Sequence, residues 1–138
     1  MTDYVLGVVA SIGRDILGAG KIVFVPSGKI PPVETFTMRA FYPETALLMA
    51  KFINGDRSTP SIYRMFDELA ELQGLHVEKI ELYTRNDDIV RGDITLTGKN
   101  KNVVLRGYWA SDAIALALYY VSPVFIDKQL FSPLAVNQ

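Results

Sequence analysis

Residues 109–118 read WASDAIALAL, and the segment SPVFI follows at residues 122–126. The first stretch predicts a helix that is apolar on nearly every face, and a helix of that kind is buried in a core. Ser111 is expected to cap its free backbone N–H groups, and Asp112 to complement the helix dipole. The Ser-Pro pair predicts the end of the helix, because proline cannot continue the hydrogen-bond ladder. The residues up to Ile126 then predict a short buried strand, so we expect the domain to be organised around this helix.

The rest of the chain shows strand-like and helix-like patterns in a repeated order. Three strand-like and two helix-like segments come first, at residues 4–10, 22–25, 34–40, 43–54 and 60–73. Three further strand-like segments precede the buried helix, at residues 77–84, 89–97 and 103–108. Short polar connections between the last three predict antiparallel neighbours. The sequence therefore predicts one α+β domain over residues 1–138, with a mixed or antiparallel sheet built from two three-stranded units, each followed by helix. Residues 131–138 are expected to form a loose tail.

The positions of apolar side chains predict which surfaces of the domain are covered. In the helix at 60–73, one face is expected to be buried through Ile62, Phe66, Leu69 and Leu72. Several aromatic and apolar residues cluster near the predicted helix ends, namely Phe36, Met38, Phe41, Tyr42, Tyr119 and Tyr120. Because antiparallel sheets of this size have edges that proteins usually cover, we expect a homo-oligomer, most simply a C2 dimer, that buries some of them.

Composition excludes several classes of protein. The 138 residues include no cysteine, which excludes disulfides, thiolate catalysis and cysteine-based metal centres, and favours a cytoplasmic location. No organic cofactor is expected. The longest apolar run, Ala113 to Val121, is too short to span a bilayer, so no membrane association is expected. The formal net charge of −1 lacks the basic surplus of a tight nucleic-acid binder. A local basic patch of Arg39, Lys51, Arg57 and Arg64 stays open.

The segments SDAIALAL (residues 111–118) and PVFI (residues 123–126) resemble the signature of the bifunctional nuclease domain family. The stretch from Glu44 to Ala46, which leads into an apolar helix, is similar to a second family feature. Arg57 stands where the family has an arginine. The resemblance covers about residues 4–131. It implies an α+β fold and hydrolysis of DNA and RNA phosphodiester bonds with Mg²⁺ or Mn²⁺.

The chain departs from the family pattern at two polar positions. Trp109 and Ala110 stand where the family has Arg-Pro, and residues 58–62 replace a Thr-His-Asp segment. The fold therefore carries over better than the activity. A non-catalytic homo-oligomeric assembly or ligand-binding module, which keeps the fold without the polar site residues, is the alternative to a nuclease.

The resemblance implies Asp112 and Glu44 as the catalytic residues. Asp112 is the implied metal ligand, because metal-assisted phosphodiester cleavage uses carboxylates in this way. Ser111 is implied beside it as a substrate-binding residue. The alternative is that Ser111 and Asp112 only stabilise the start of the helix, where a carboxylate contributes about 0.3–1 kcal/mol.

Two further residues are candidates for substrate binding. Arg57 could bind phosphate, clamp a helix junction through a carboxylate, or be an ordinary surface arginine. Trp109, the only tryptophan, could stack on a base, whereas a tryptophan at the entry to a buried helix is more often in the core or an interface.

Overall fold

Two antiparallel three-stranded units join into one eight-stranded sheet in the computed structural model, which describes residues 2–28 and 34–133. Its strands are β1 (Tyr4–Arg14), β2 (Gly20–Pro26), β3 (Glu34–Phe41), β4 (Leu75–Thr84), β5 (Val90–Gly98), β6 (Asn102–Trp109), β7 (Val124–Asp127) and β8 (Ser132–Pro133). The α-helices of the described ranges are α1 (Pro43–Ile53), α2 (Ile62–Leu72) and α3 (Ala110–Tyr120). The predicted α+β class and its two three-stranded units are confirmed.

The short strand β7 joins the two units. The strand order is β6-β5-β4-β7-β1-β2-β3-β8, in which β7 pairs antiparallel with β1 and parallel with β4. Each flanking unit is a meander of consecutive antiparallel strands. The strand that follows the buried helix therefore holds the two halves of the sheet together.

Helix α3 is buried as predicted and lies directly on the sheet. Its residues 113–117 are at most 5% exposed. A Cβ atom on Gly92 of β5 would collide with the Cβ atom of Ala113, so only glycine lets the helix approach this closely. Helix α1 packs against α3 and β1, and α2 packs against β4. Asp112 directly precedes Ala113, so the close approach of α3 to β5 also fixes the position of Asp112.

The N-cap of α3 lies two residues before the predicted one. Strand β6 extends to Trp109, which pairs with Arg91, and the helix begins at Ala110. Ser111 therefore lies inside the first turn, and the N-cap residue Trp109 makes no side-chain capping bond. The capping role predicted for Ser111 is wrong. Asp112 lies in the first turn, as predicted.

The predicted buried face of α2 is also wrong. Tyr63 and Ala70 are the buried residues of this helix, and Phe66 packs against the core in part. The expected core residues Ile62, Leu69 and Leu72 are 62%, 58% and 81% exposed. The ring of Tyr63 is apolar although its hydroxyl is polar, so α2 has two apolar faces. Hydrophobic periodicity alone does not decide which of these faces packs inward.

Several other sequence predictions are resolved by burial. Phe36 and Phe41 lie in the domain's own core, whereas Tyr42 is 77% exposed. Phe131 is buried and β8 pairs with β3, so residues 131–133 are not a loose tail. Residues 134–138 of the predicted tail lie outside the described residues. Within the described ranges, the helices are too short or too polar for a bilayer crossing.

Candidate functional site

An open cleft of about 1040 Å³ lies where the three α-helices begin. The helices contribute first-turn residues to its lining: Pro43 and Thr45 from α1, Ile62 and Tyr63 from α2, and Ala110, Ser111 and Asp112 from α3. The remaining lining comes from Ala19, from residues 38–42 and 88–90, and from Trp109. Helix N-termini carry partial positive charge, so this arrangement favours anionic groups in the cleft.

Asp112 is held in the cleft by Tyr63. The Tyr63 hydroxyl donates a hydrogen bond of 2.7 Å to Oδ1 of Asp112. The tyrosine ring is 4% exposed and packs edge-on against Phe52, with ring centroids 6.0 Å apart. This packing fixes the hydroxyl, which in turn orients the carboxylate of Asp112.

The environment of Tyr63 keeps its hydroxyl protonated. Burial raises the pKa of Tyr63 well above 10, and the hydrogen bond and negative charge of Asp112 raise it further. The neighbouring Thr45 hydroxyl acts in the opposite direction but does not reverse the shift. Tyr63 therefore remains a hydrogen-bond donor to Asp112 throughout the neutral pH range. The sequence does not single out Tyr63, because no local pattern links residues 49 positions apart.

Two aromatic rings flank the starts of α1 and α3. Tyr42 and Trp109 line the cleft and are 77% and 60% exposed. Trp109 is therefore not in the core of this domain, and base stacking and an interface stay the two predictions for it. Both residues are N-caps, with φ/ψ of −61°/133° and −58°/132°. The segments YPETA at 42–46 and WASDA at 109–113 thus form matching strand-to-helix junctions, which is a sequence signal for Tyr42 as a cleft residue.

Arg57 is bound at the opposite end of α3 from Asp112. Its Nε donates to the carbonyl oxygen of Tyr119 at 2.6 Å, and its Nη2 donates to that of Leu118 at 3.2 Å. Its guanidinium also lies 5.2 Å from the centroid of the Tyr119 ring. Two helical turns, or about 10 Å, separate this contact from Asp112. Arg57 thus clamps a helix junction, through backbone carbonyls and not through the carboxylate that one interpretation predicted.

The other basic candidates do not converge on the cleft. Lys51 donates to the Thr59 hydroxyl, and Arg64 contacts the carbonyl oxygen of Ser58 and the carboxylate of Glu68. Arg39 is the candidate that lines the cleft. The basic patch of four residues that the sequence left open is therefore not formed at the cleft.

The carboxylates of the cleft set its charge. Asp88 and Asp112 line it with Arg39, whereas Glu44 is exposed in the first turn of α1 between two lining residues. The described lining thus carries two negative charges and one positive charge. Residues 2–28 and 34–133 contain no group of three or more His, Cys, Asp or Glu that could hold a metal ion.

This donor set fits one kind of metal binding. Mg²⁺ is usually held by one or two carboxylates together with waters and substrate phosphates, and not by an all-protein cage. The Asp112 carboxylate fits an ion that is shared with a phosphate group. It does not supply enough ligands for a structural metal centre.

A protein-family model matches the part of the chain that contains all three helices of this site. A family model described as "Bifunctional nuclease domain" matches residues 42–138, which is more than two thirds of the chain. A comparison with curated proteins gives no significant match. The matched range begins at Tyr42 and contains every residue that the three helices contribute to the cleft.

Proposed function

This chain belongs to the bifunctional nuclease domain family, and on that premise we propose that it hydrolyses DNA or RNA phosphodiester bonds in the cleft where its three helices begin. The observation that carries the proposal is the position of Asp112, which Tyr63 holds in this cleft within the segment that resembles the family signature. A fixed carboxylate in a cleft that also offers three helix N-termini suits phosphate chemistry.

The proposed substrate is single-stranded. The exposed rings of Tyr42 and Trp109 provide two surfaces on which unpaired bases can stack, and base–aromatic stacking contributes about 1–3 kcal/mol per base. Arg39, at the same cleft, can donate to a phosphate of the backbone. Bases inside a duplex are stacked on one another, so a single strand uses these rings more readily than a double strand does.

The proposed chemistry centres on Asp112. The Tyr63 hydroxyl orients its carboxylate, and Ser111 in the same helical turn is available to the phosphate as a hydrogen-bond donor. Bound Mg²⁺ or Mn²⁺ would supply charge neutralisation and Lewis-acid activation at the phosphate. Because the cleft lining is negative, we expect phosphate binding to require the divalent ion. Glu44, at the edge of the cleft, is the second carboxylate proposed for proton transfer.

The test is cleavage of single- and double-stranded DNA and RNA with Mg²⁺, Mn²⁺ or EDTA. We expect metal-dependent cleavage, fastest on single strands, and at least a 100-fold loss of kcat/KM in Asp112→Asn, in the range that positioned catalytic groups contribute. Glu44→Gln tests the second carboxylate in the same assay.

Asp3→Asn, which changes an exposed carboxylate outside the cleft lining, is the matched control and should cleave like the parent protein. Unchanged melting temperatures establish that each variant is folded. Equal cleavage by Asp112→Asn and the parent would contradict the proposed site, and cleavage that persists in EDTA would contradict the metal requirement.

A specific observation favours a second candidate function. Most of the cleft lining is apolar, including the exposed Tyr42, Ile62 and Trp109, and its net charge is negative. Such a surface suits a non-catalytic assembly or ligand-binding module. Absence of cleavage and of oligonucleotide binding by the folded parent protein would make this module the better account. A cytoplasmic location is part of either proposal, since a chain without cysteine suits a reducing compartment.

A further inference from the structure

Strand β6 contains a β-bulge just before it reaches the cleft. Its pairing with β5 is regular up to Leu105 and resumes at Tyr108. Over this interval β6 has two residues, 106 and 107, where β5 has only Asp93. A bulge bends its strand and increases the local twist, and bulges next to functional sites re-aim a side chain. Trp109 follows the bulge by two residues and lines the cleft.

The bulge determines on which face of the sheet Trp109 lies. Residues four positions apart in a regular strand share a face, so Trp109 would share the face of Leu105, which packs against the hydrophobic core. The extra residue shifts the pairing by one position, so Trp109 pairs with Arg91 and not with Val90. A shift of one position moves a side chain to the other face. Trp109 accordingly leaves the core-facing side and is 60% exposed.

The carboxylate of Asp93 holds the bulge from the neighbouring strand. Its Oδ1 accepts hydrogen bonds of 2.9 Å from the backbone N–H of Gly107 and 2.7 Å from the hydroxyl of Tyr83 on β4. Its Oδ2 accepts a longer bond of 3.3 Å from Arg106, which is largely exposed. A bulge interrupts the hydrogen-bond ladder of the sheet, so its backbone groups need other partners. Asp93 supplies one of these partners and connects three adjacent strands.

Two neighbours of Asp93 are suited to this arrangement. Gly107 has a φ of 74°, a conformation that residues with a Cβ atom rarely adopt. Burial raises the pKa of Tyr83 above its usual value, and the hydrogen bond to Asp93 raises it further, although Arg85 acts in the opposite direction. The Tyr83 hydroxyl therefore stays protonated at neutral pH and donates to the carboxylate.

We propose that Asp93 is a positioning residue for the cleft, because it locks the bulge of β6 and thereby holds the ring of Trp109 where a base can stack on it. This role rests on the proposed function, which assigns base stacking to Trp109. Asp93 lies outside the described lining of the cleft, so it acts through β6 and does not contact the substrate.

The kinetics of Asp93→Ala test this role. We expect KM for a single-stranded oligonucleotide to rise about 10-fold, as for the loss of one base stack, while kcat stays nearly unchanged. Asp93→Asn should largely restore KM, because the amide oxygen can still accept from Gly107 and Tyr83. Thr95→Ala is the matched control, since it removes a buried polar side chain from the same strand outside the bulge. Its KM should equal that of the parent protein.

A double-mutant cycle separates positioning from a general loss of stability. Trp109→Ala should by itself raise KM about 10-fold, since it removes the stacking surface. Asp93→Ala should add nothing in this background, because Asp93 acts through Trp109. Independent effects would multiply to roughly 100-fold and would overturn the assignment.

The fluorescence anisotropy of Trp109, the only tryptophan, gives a readout that needs no cleavage. It should fall in Asp93→Ala, because the ring gains freedom when the bulge is released, and stay unchanged in Thr95→Ala. Gly107→Ala makes the same test if Asp93→Ala does not fold, since a Cβ atom disfavours the positive φ.

The two proposals fail in different ways. Unchanged anisotropy and unchanged KM in folded Asp93→Ala and Gly107→Ala would overturn the positioning role, even if the parent protein is an active nuclease. A parent protein that cleaves no substrate would contradict the proposed function, and the fall in anisotropy would still support the hold of Asp93 on Trp109.

Discussion

The two ends of α3 differ in whether the chain itself supplies hydrogen-bond partners for the free backbone groups of the helix. At the C-terminal end, Arg57 donates to two carbonyl oxygens of the last turn, and the N–H of Ser122 bonds the carbonyl oxygen of Ala117 at 2.8 Å. At the N-terminal end, the cap residue Trp109 makes no side-chain bond and Asp112 lies in the cleft. One end is closed by the chain itself, whereas the other is open toward a ligand. We therefore expect stability to depend on the Arg57 end, and the proposed function to depend on the Asp112 end.

Arg57→Ala should produce the largest loss of stability and sharpen this comparison. A hydrogen bond from a charged donor contributes about 1.5–3 kcal/mol. Arg57 makes two, but it is only partly buried, so we expect the free energy of unfolding to fall by about 2–3 kcal/mol. Arg57→Lys should recover less than half of the loss, because an ammonium lacks the planar fork that reaches both carbonyl oxygens. Urea denaturation measures both changes.

The control for Arg57 is Arg106→Ala, which removes an ion pair in which the arginine is 70% exposed. Exposed ion pairs contribute less than about 1 kcal/mol, so this variant should lose little. At temperatures where Arg57→Ala is folded, its kcat/KM on an oligonucleotide should match that of the parent. A 100-fold loss of activity in a folded Arg57→Ala protein would contradict the division between the two ends.

Tyr63→Phe should have the next largest effect, at the open end. Loss of its hydrogen bond to Asp112 should lower the free energy of unfolding by about 0.5–1.5 kcal/mol at neutral pH. The pKa of Tyr63 is raised above 10 in the folded state, so its contribution is fully present below pH 10 and is lost as pH rises through the folded pKa. Denaturation measured from pH 8 to 11.5 should therefore show a shallower alkaline decline in the variant. An identical decline in both proteins would show that Tyr63 is not the titrating group.

Val121→Gly should have the smallest effect, and it should be stabilising. Val121 adopts a left-handed conformation, with φ of 57° and ψ of 42°, just past the end of α3. Glycine adopts this conformation without the Cβ clash, and Val121 is 83% exposed and so loses little packing. We expect a gain of about 0.5–1 kcal/mol by urea denaturation. The control is Val104→Gly in β6, which should instead lower the free energy of unfolding. A loss of stability in Val121→Gly would contradict the prediction and would indicate that Val121 packs against the C-terminal end of α3.

The sequence predicts the framework because its elements follow strong local patterns. Alternating strands, a proline at the start of α1 and the all-apolar α3 are sufficient to predict the elements and the two three-stranded units. The inward face of α2 is not predictable in this way, since two of its faces are apolar and the choice depends on what β4 and α3 offer. The start of α3 differs from the prediction because β6 pairs as far as Trp109 with Arg91 of the neighbouring strand β5, and the local pattern at the helix start does not indicate this pairing.

The candidate site divides in the same way. Asp112, Ser111 and Trp109 are adjacent in sequence, so a single local signature predicts that they lie together. Arg57 and Tyr63 depend on contacts that span 62 and 49 residues, which no local pattern indicates. The family resemblance suggested substrate binding for Arg57, whereas the structure shows it hydrogen-bonded to two carbonyl oxygens at the far end of α3, a contact that stabilises the fold.

The fluorescence of Trp109 offers the most direct test that the open end of α3 is the functional one. Trp109 is the only tryptophan of the chain and lines the cleft, so its emission reports on that site alone. A single-stranded oligonucleotide with a non-hydrolysable backbone is titrated into the protein with Mg²⁺. The account predicts saturable quenching that requires the metal, weakens at least 10-fold in Asp112→Asn and persists in a folded Arg57→Lys variant. Emission that stays unchanged at saturating oligonucleotide, or quenching that Arg57→Lys abolishes and Asp112→Asn does not, would contradict it.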